Sequence, residues 1–388
     1  SSPIVSGCTF LFNNAIISGG GMDIFDESSP TVTDCTFTSN SCDSGYGGGL
    51  YNINSDLVFS NCTFNSNEAY QCGGVATRVN STNARFISTW SNCTFADNWA
   101  EKGGGMYNSC ENYDNASGLD SDSYSDLILN NCVFNDNIST YLGGGIYNYS
   151  RGDSDYYYYY WVYDDAYISL TINNSLFYDN NTEYGGGIAN YTYSFGYVYA
   201  DLCNCSFTNN SASSEGGGIY SNCTDSGSHP ITVNILNSIY WGDAPNELYD
   251  SNPKCRTYAN YSCIDGGYLG LFNIGHLPEH DPCFVAGPEG PYYLSQIAAG
   301  QSIESPCVDT GDPASVLMQG TTRIDGKMDT GIVDMGYHYP PENATYCVPG
   351  DFLTIQDAIN LLQNNDIIRV APGTYRENID FLGKAITV

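Results

Sequence analysis

Along the first two thirds of the chain, a small residue and an aromatic one stand two positions apart, and the pair keeps returning. The anchors are Cys8 and Phe10, Cys35 and Phe37, Cys62 and Phe64, Cys93 and Phe95, Cys132 and Phe134, Ser175 and Phe177, and Cys205 and Phe207, with Ser238 and Tyr240 as a looser copy. Residues two apart on a strand point to the same side, so each pair predicts a short strand with one inward face. Three residues beyond each Phe stands Asn13, Asn40, Asn67, Asn98, Asn137, Asn180 or Asn210. A glycine triplet follows, beginning at Gly19, Gly47, Gly103, Gly143, Gly185 and Gly216, with Cys72, Gly73 and Gly74 standing in once. Both read as bends. An asparagine amide can bond to the next coil, and glycines admit a tight turn and a close backbone neighbour.

The stretch from Cys to glycine is nearly constant, whereas the stretch from the triplet to the next anchor varies, so insertions are confined to one side of each coil. No coil of this kind buries its own apolar face. Coils stacked in parallel about 4.8 Å apart place Phe over Phe and Cys over Cys. Helical repeats hold a steadier period and carry helix formers, while Thr, Ser, Asn, Val, Ile and Tyr surround these anchors. A β-sandwich gives no reason for one face residue to return seven times. The expected fold is therefore all-β, a right-handed single-stranded parallel β-helix, with Phe10, Phe37, Phe64, Phe95, Phe134, Phe177 and Phe207 as an internal ladder. Residues 1–245 form the repeats, 246–340 the closing coils and cap, and 341–388 a linker and the opening cap of a following domain or subunit.

Charge changes the picture of partners. With 43 acidic residues against 11 basic ones and a net charge of -32, the surface repels nucleic acid and anionic membrane and collects cations. No apolar segment is long enough to span a bilayer, and no signal peptide stands at Ser1, so we expect a removed signal or an internal piece. Sixteen cysteines suit an oxidising exterior. Cys8, Cys35, Cys62, Cys93, Cys132 and Cys205 occupy the repeated inward slot as small buried hydrophobes. Cys42, Cys72, Cys110, Cys203, Cys223, Cys255, Cys263, Cys283, Cys307 and Cys347 fall outside it and are disulfide candidates, Cys255 with Cys263 being the most local pair and Cys42 with Cys72 a pair on adjacent coils. Their connectivity stays open. Zinc is disfavoured by the lack of a CxxC pair and by only four His.

Sequons mark Asn61, Asn92, Asn115, Asn148, Asn180, Asn204, Asn222, Asn260 and Asn343 as glycan acceptors. Of these Asn115 and Asn148 are read as lying in variable loops, the better setting for a glycan. The insertions carry Tyr156, Tyr158, Tyr160, Trp161, Tyr163, Tyr193 and Tyr197. Emerging from consecutive coils on one side, they are expected to merge into an aromatic, acidic ledge for sugars or proteins, or to pack over each other along the flank. Beyond Tyr240 the glycine triplets stop, and Asp281, Asp309, Asp312, Asp325, Asp329 and Asp334 read as turn acids, with calcium left open as a ligand.

The repeats, followed by Asp281-Pro282-Cys283-Phe284-Val285, Ser305-Pro306-Cys307-Val308-Asp309-Thr310-Gly311, Arg323-Ile324-Asp325-Gly326 and Val333-Asp334-Met335-Gly336, resemble the secreted right-handed parallel β-helix surface proteins of the polymorphic outer-membrane and choice-of-anchor types. The resemblance implies that these phrases close a β-helix domain, with Tyr337-His338-Tyr339 in place of the usual Ala-Tyr-Glu-like ending. It also implies that residues 350–388, with a short amphipathic helix around Ile355 to Leu362 and strands at 366–370 and 385–388, open a further one. β-Helix lyases and hydrolases need clustered carboxylates with a base. Here Asp97 and Asp136 share a turn position without a basic partner. The expected role is therefore a structural or adhesive extracellular protein, not an enzyme. It would form part of a glycosylated fibre or stalk of head-to-tail copies that meets glycans or cell-surface proteins. A polysaccharide lyase or hydrolase is the alternative.

Overall fold

The computed structural model describes residues 2–388 except 26, 113–120, 158–159, 225–228, 276, 341–344, 351 and 362–366. It falls into two units, Ser1–Pro278 and Glu279–Val388.

The first unit consists of four parallel sheets of nine, nine, seven and eight strands, to which successive coils contribute in turn. One coil runs through Arg85–Ser91, Thr94–Ala96, Trp99–Lys102 and Met106–Glu111. Its neighbours pair with it in register, Phe95 lying between Phe64 and Phe134 and Trp90 between Phe59 and Leu129. This is the right-handed parallel β-helix that the pattern predicts. Its first two sheets continue past Tyr240 to Cys255–Asn260 and Cys263–Ile264.

Each coil bends at residues in the left-handed region. The first bend uses Asp34, Asn61, Asn92, Asn131, Asn174, Asn204 and Asn237, and the second uses Ser39, Ser66, Asp97, Asp136, Asp179 and Asn209. Short polar side chains tolerate this conformation best. At the third bend only the first glycine of the triplet needs it, φ being 65° at Gly103, and Cys72 takes the same conformation at 63°. The other two glycines are required by proximity: a Cβ on Gly104 would lie 2.6 Å from the carbonyl oxygen of Gly144 in the next coil.

Inside, the rings of Phe10, Phe37, Phe64, Phe95, Phe134, Phe177 and Phe207 stack in near-parallel pairs with centroids 4.4–5.3 Å apart, and Tyr240 continues the column at 4.6 Å. Beside them runs an asparagine column. The Asn67 side-chain amide donates to Asn98 Oδ1 at 3.0 Å and to the Phe37 carbonyl at 2.9 Å, while its backbone N–H also reaches Asn98 Oδ1 at 3.0 Å. The pattern recurs at Asn40, Asn98, Asn137 and Asn180. Buried bend groups are thereby satisfied.

The Cys slot is more than a stack of small hydrophobes. The Cys132 N–H donates to Ser175 Oγ and the Cys205 N–H to Ser238 Oγ, each at 3.1 Å, as the Cys8 N–H does to Cys35 Sγ at 3.3 Å. The slot supplies an acceptor to the coil before it, which is why Ser alternates with Cys there. Cys8 itself is exposed.

In the second unit, Phe284–Gly287 pairs antiparallel with Gly290–Leu294. Thr345–Val348 pairs in parallel with Ile367–Val370, and the helix Ile355–Leu361 packs on them through Ile355, Ala358 and Ile359.

Candidate functional site

On the fourth sheet, alternation sends Leu50, Val75, Met106, Ile146, Ile188 and Ile219 into the core, and the next residue of each strand outward. Those outward residues are Tyr51, Ala76, Tyr107, Tyr147, Ala189 and Tyr220, and they build a second apolar cluster with Tyr46, Tyr149, Tyr184 and Tyr191 over it. Burial pushes the Tyr107 and Tyr147 hydroxyls well above the usual phenol range. Arg78 lies 4.5 Å from the Tyr46 ring centroid and pairs with Glu111 at 2.8 Å. The sequence signal for this cluster, an aliphatic residue and Tyr directly after the glycines, is present in the chain but absent from the ledge expected above.

The insertion side carries a hairpin and an aromatic row. Asp153–Tyr157 and Tyr160–Asp164 form an antiparallel hairpin. Tyr158 and the side chains of Tyr156, Tyr160, Trp161 and Tyr163 lie outside the described residues. Tyr124, Tyr167, Tyr197 and His229, from successive coils, stack at 4.8, 4.6 and 4.1 Å. Tyr124 donates to Asp122 at 3.2 Å and Tyr167 to Asp165 at 3.0 Å, which edges the stack with carboxylates. Tyr193, 40% exposed, faces Arg151 at 5.1 Å, and Tyr199 is 47% exposed. Of the tyrosines expected in a ledge, Tyr197 stands in this stack on the first sheet and Tyr193 at the end of a fourth-sheet strand, and the stack also holds Tyr124, Tyr167 and His229.

The sequons divide by burial. Asn61 and Asn92 are exposed at the first bend, and Asn222 and Asn260 are half-buried. Asn115 and Asn343 lie outside the described residues. Asn148, Asn180 and Asn204 correct the expectation of glycans there. Asn148 sits in an interior column donating to Asn190 Oδ1 at 2.9 Å, Asn180 is a rung of the bend column, and Asn204 is buried, so the folded coil has no outlet for a sugar at any of them.

Asp97, Asp136 and Asp179 occupy one bend in consecutive coils. Burial and then the neighbouring Asp136 raise the carboxyls of Asp97 and Asp179 above their usual range. In the second unit, Asp309, Asp329 and Asp334 bring one ligand atom each within 4.8 Å of the others, close enough to hold one divalent cation. Asp334 accepts the Asp309 N–H at 2.7 Å and the Gln296 amide at 3.1 Å, and His338 Nε2 lies 3.2 Å from Asp329. Burial, then Asp329, raises the Asp334 carboxyl to about 6. Three of the acids read as turn formers thus converge, a grouping invisible at separations of five and twenty residues.

No two of the sixteen cysteine sulfurs stand at bonding distance in the structure. Cys42 faces Ala15 and Ala69 in its sheet and not Cys72. The neighbour of Cys255 is Cys223, at 2.9 Å between sulfurs, and not Cys263.

The Chlamydia polymorphic membrane protein repeat matches residues 131–149 and 204–222. Both segments begin at the first bend of a coil and run through its glycine triplet into the fourth sheet. No curated protein matches the chain, and no solved structure does.

Proposed function

We propose that the chain is a structural or adhesive segment of an extracellular surface protein, belonging to a fibre or stalk of stacked β-helical units. The observation that carries this reading is the aromatic row on the insertion side, where successive coils set Tyr124, Tyr167 and Tyr197 one above another with Tyr193 and Tyr199 exposed nearby. Rigid rings with a polar tip recognise sugars and proteins at small entropic cost. The two coils similar to the Chlamydia polymorphic membrane protein repeat support the same reading. Exposed Asn61 and Asn92 are the glycan acceptors of this proposal, and the intact mass of native material tests them.

Beads coated with the full chain should adhere to immobilised polysaccharides or cells, and Tyr193→Ala with Tyr199→Ala should release them. The second reading, a polysaccharide lyase or hydrolase, is supported by a surface groove lined by Asp201, Asn234, Tyr258 and Asn260. Shortened or unsaturated oligosaccharides released from a polysaccharide panel would establish it instead. Head-to-tail stacking of copies or tandem units is supported by the helix-and-strand cluster around Ile355–Leu361, with its own apolar core and its resemblance to an opening cap. Identical monomeric size distributions with and without residues 350–388 count against polymerisation. Calcium, which favours clustered carboxylates, is the cation proposed for Asp309, Asp329 and Asp334.

A further inference from the structure

In the fourth sheet one inward slot passes from Val79 through Cys110, Ser150 and Thr192 to Cys223. Among the described residues the strand above, Leu248–Asp250, pairs with Ile219, Tyr220 and Ser221, so no strand of that sheet covers Cys223. The chain instead turns early. Asn252 donates its amide to the Cys223 carbonyl at 2.7 Å, and the Cys255 N–H donates to the Asn252 carbonyl at 3.0 Å. This short turn drops Cys255, the first residue of the next strand of the first sheet, onto Cys223. Both residues are buried, and their sulfurs are 2.9 Å apart, inside van der Waals contact.

We infer that Cys223 and Cys255 are joined by a disulfide that closes one complete coil, residues 224–254, near the end of the solenoid. In the ladder, Cys62 and Cys132 also direct their S–H groups to backbone carbonyls, and Cys132 lies under Ser175. The chemistry is thiol–disulfide exchange with a small-molecule disulfide while the coil is still open. The Cys223 thiolate attacks one sulfur of that disulfide and expels a thiolate. The Cys255 thiol then loses its proton and attacks the Cys223 sulfur of the mixed disulfide, expelling the second. Two protein thiols become one S–S bond, and the small disulfide is reduced to two thiols.

The test is to fold the full chain in a mixture of reduced and oxidised glutathione, unfold it, block remaining thiols with iodoacetamide, and map the peptides without reduction. The Cys223 peptide should emerge joined to the Cys255 peptide, with Cys62, Cys93 and Cys132 alkylated. Recovery of Cys223 and Cys255 both alkylated, or of Cys255 joined to Cys263, overturns the inference. A second measurement does not depend on the yield of oxidised chain. Reductant should increase proteolytic cutting within 224–254 severalfold in the native sequence and leave a Cys223→Ala, Cys255→Ala chain unchanged. An equal response in both chains overturns it as well.

Discussion

Asp243 occupies the rung above Asn210 in the asparagine column, and its Oδ1 accepts both the backbone and the side-chain N–H of Asn210, at 2.6 and 2.9 Å. From Asn40 to Asn210, the amide on that rung also donates to a Phe carbonyl, as Asn210 does to Phe177. Asp243 has no such proton when ionised, and its Oδ2 is buried beside the carboxyl of Glu247. Burial raises Asp243 to about 7, and burial, then Asp243, raises Glu247 to about 11, so the two carboxyls hold a proton between them at neutral pH.

Asp243→Asn should therefore stabilise the first unit. Both acids have folded values above their unfolded ones, so the folded state binds more protons and stability falls as pH rises through the interval between them. For Asp243 that interval runs from about 4 to about 7. The substitution restores the amide rung toward the Phe207 carbonyl. It should gain roughly 1–3 kcal/mol at pH 8, the cost of one unsatisfied buried group, and nothing below pH 4, measured by urea unfolding across pH.

Phe95→Ala removes one ring from a column in which Phe64 and Phe134 lie 5.3 and 4.5 Å away. The in-register strands cannot close around the void, so the loss should reach about 3–5 kcal/mol. Chemical denaturation checks it, and a cost below 1 kcal/mol would contradict a packed ladder.

Cys93→Ser should be nearly neutral and Cys93→Ala should not. The Cys62 N–H donates to the Cys93 sulfur, a bond that Ser175 and Ser238 make with oxygen in other coils. Alanine leaves that donor unsatisfied, which costs roughly 1–3 kcal/mol. Equal thermal shifts for the two variants would show that the slot is chosen for size alone.

The coil was legible because its inward residues repeat at fixed separations: Phe95, Asn98 and Gly103 each sit where the periodic pattern puts them. What was not legible depends on which coil lies above which. Asn148 carries a sequon and looked like a loop residue, yet the register with Asn108 and Asn190 turns it inward. Cys255 is nearer in sequence to Cys263 than to Cys223, but stacking overrides chain distance. The left-handed bends at Asn92 and Asp97 left only a weak trace, because Asp, Asn and Ser serve equally there.

Calcium should raise the melting temperature of the second unit through Asp334, and the effect should depend on pH. A cation needs the carboxylates deprotonated, and Asp334, held at about 6 by burial and by Asp329, binds a proton before the exposed acids do. The shift should thus be full at pH 7.5 and shrink as pH falls through 6. Asp334→Asn keeps the size of the side chain and one oxygen acceptor for the Asp309 N–H, but removes the buried charge, so it should abolish the calcium response while leaving the calcium-free chain folded. Differential scanning calorimetry with calcium, magnesium and chelator reads all three arms. A calcium shift that survives Asp334→Asn would place the cation elsewhere on this acidic surface, with the stacked Asp97, Asp136 and Asp179 bend as the next place to substitute.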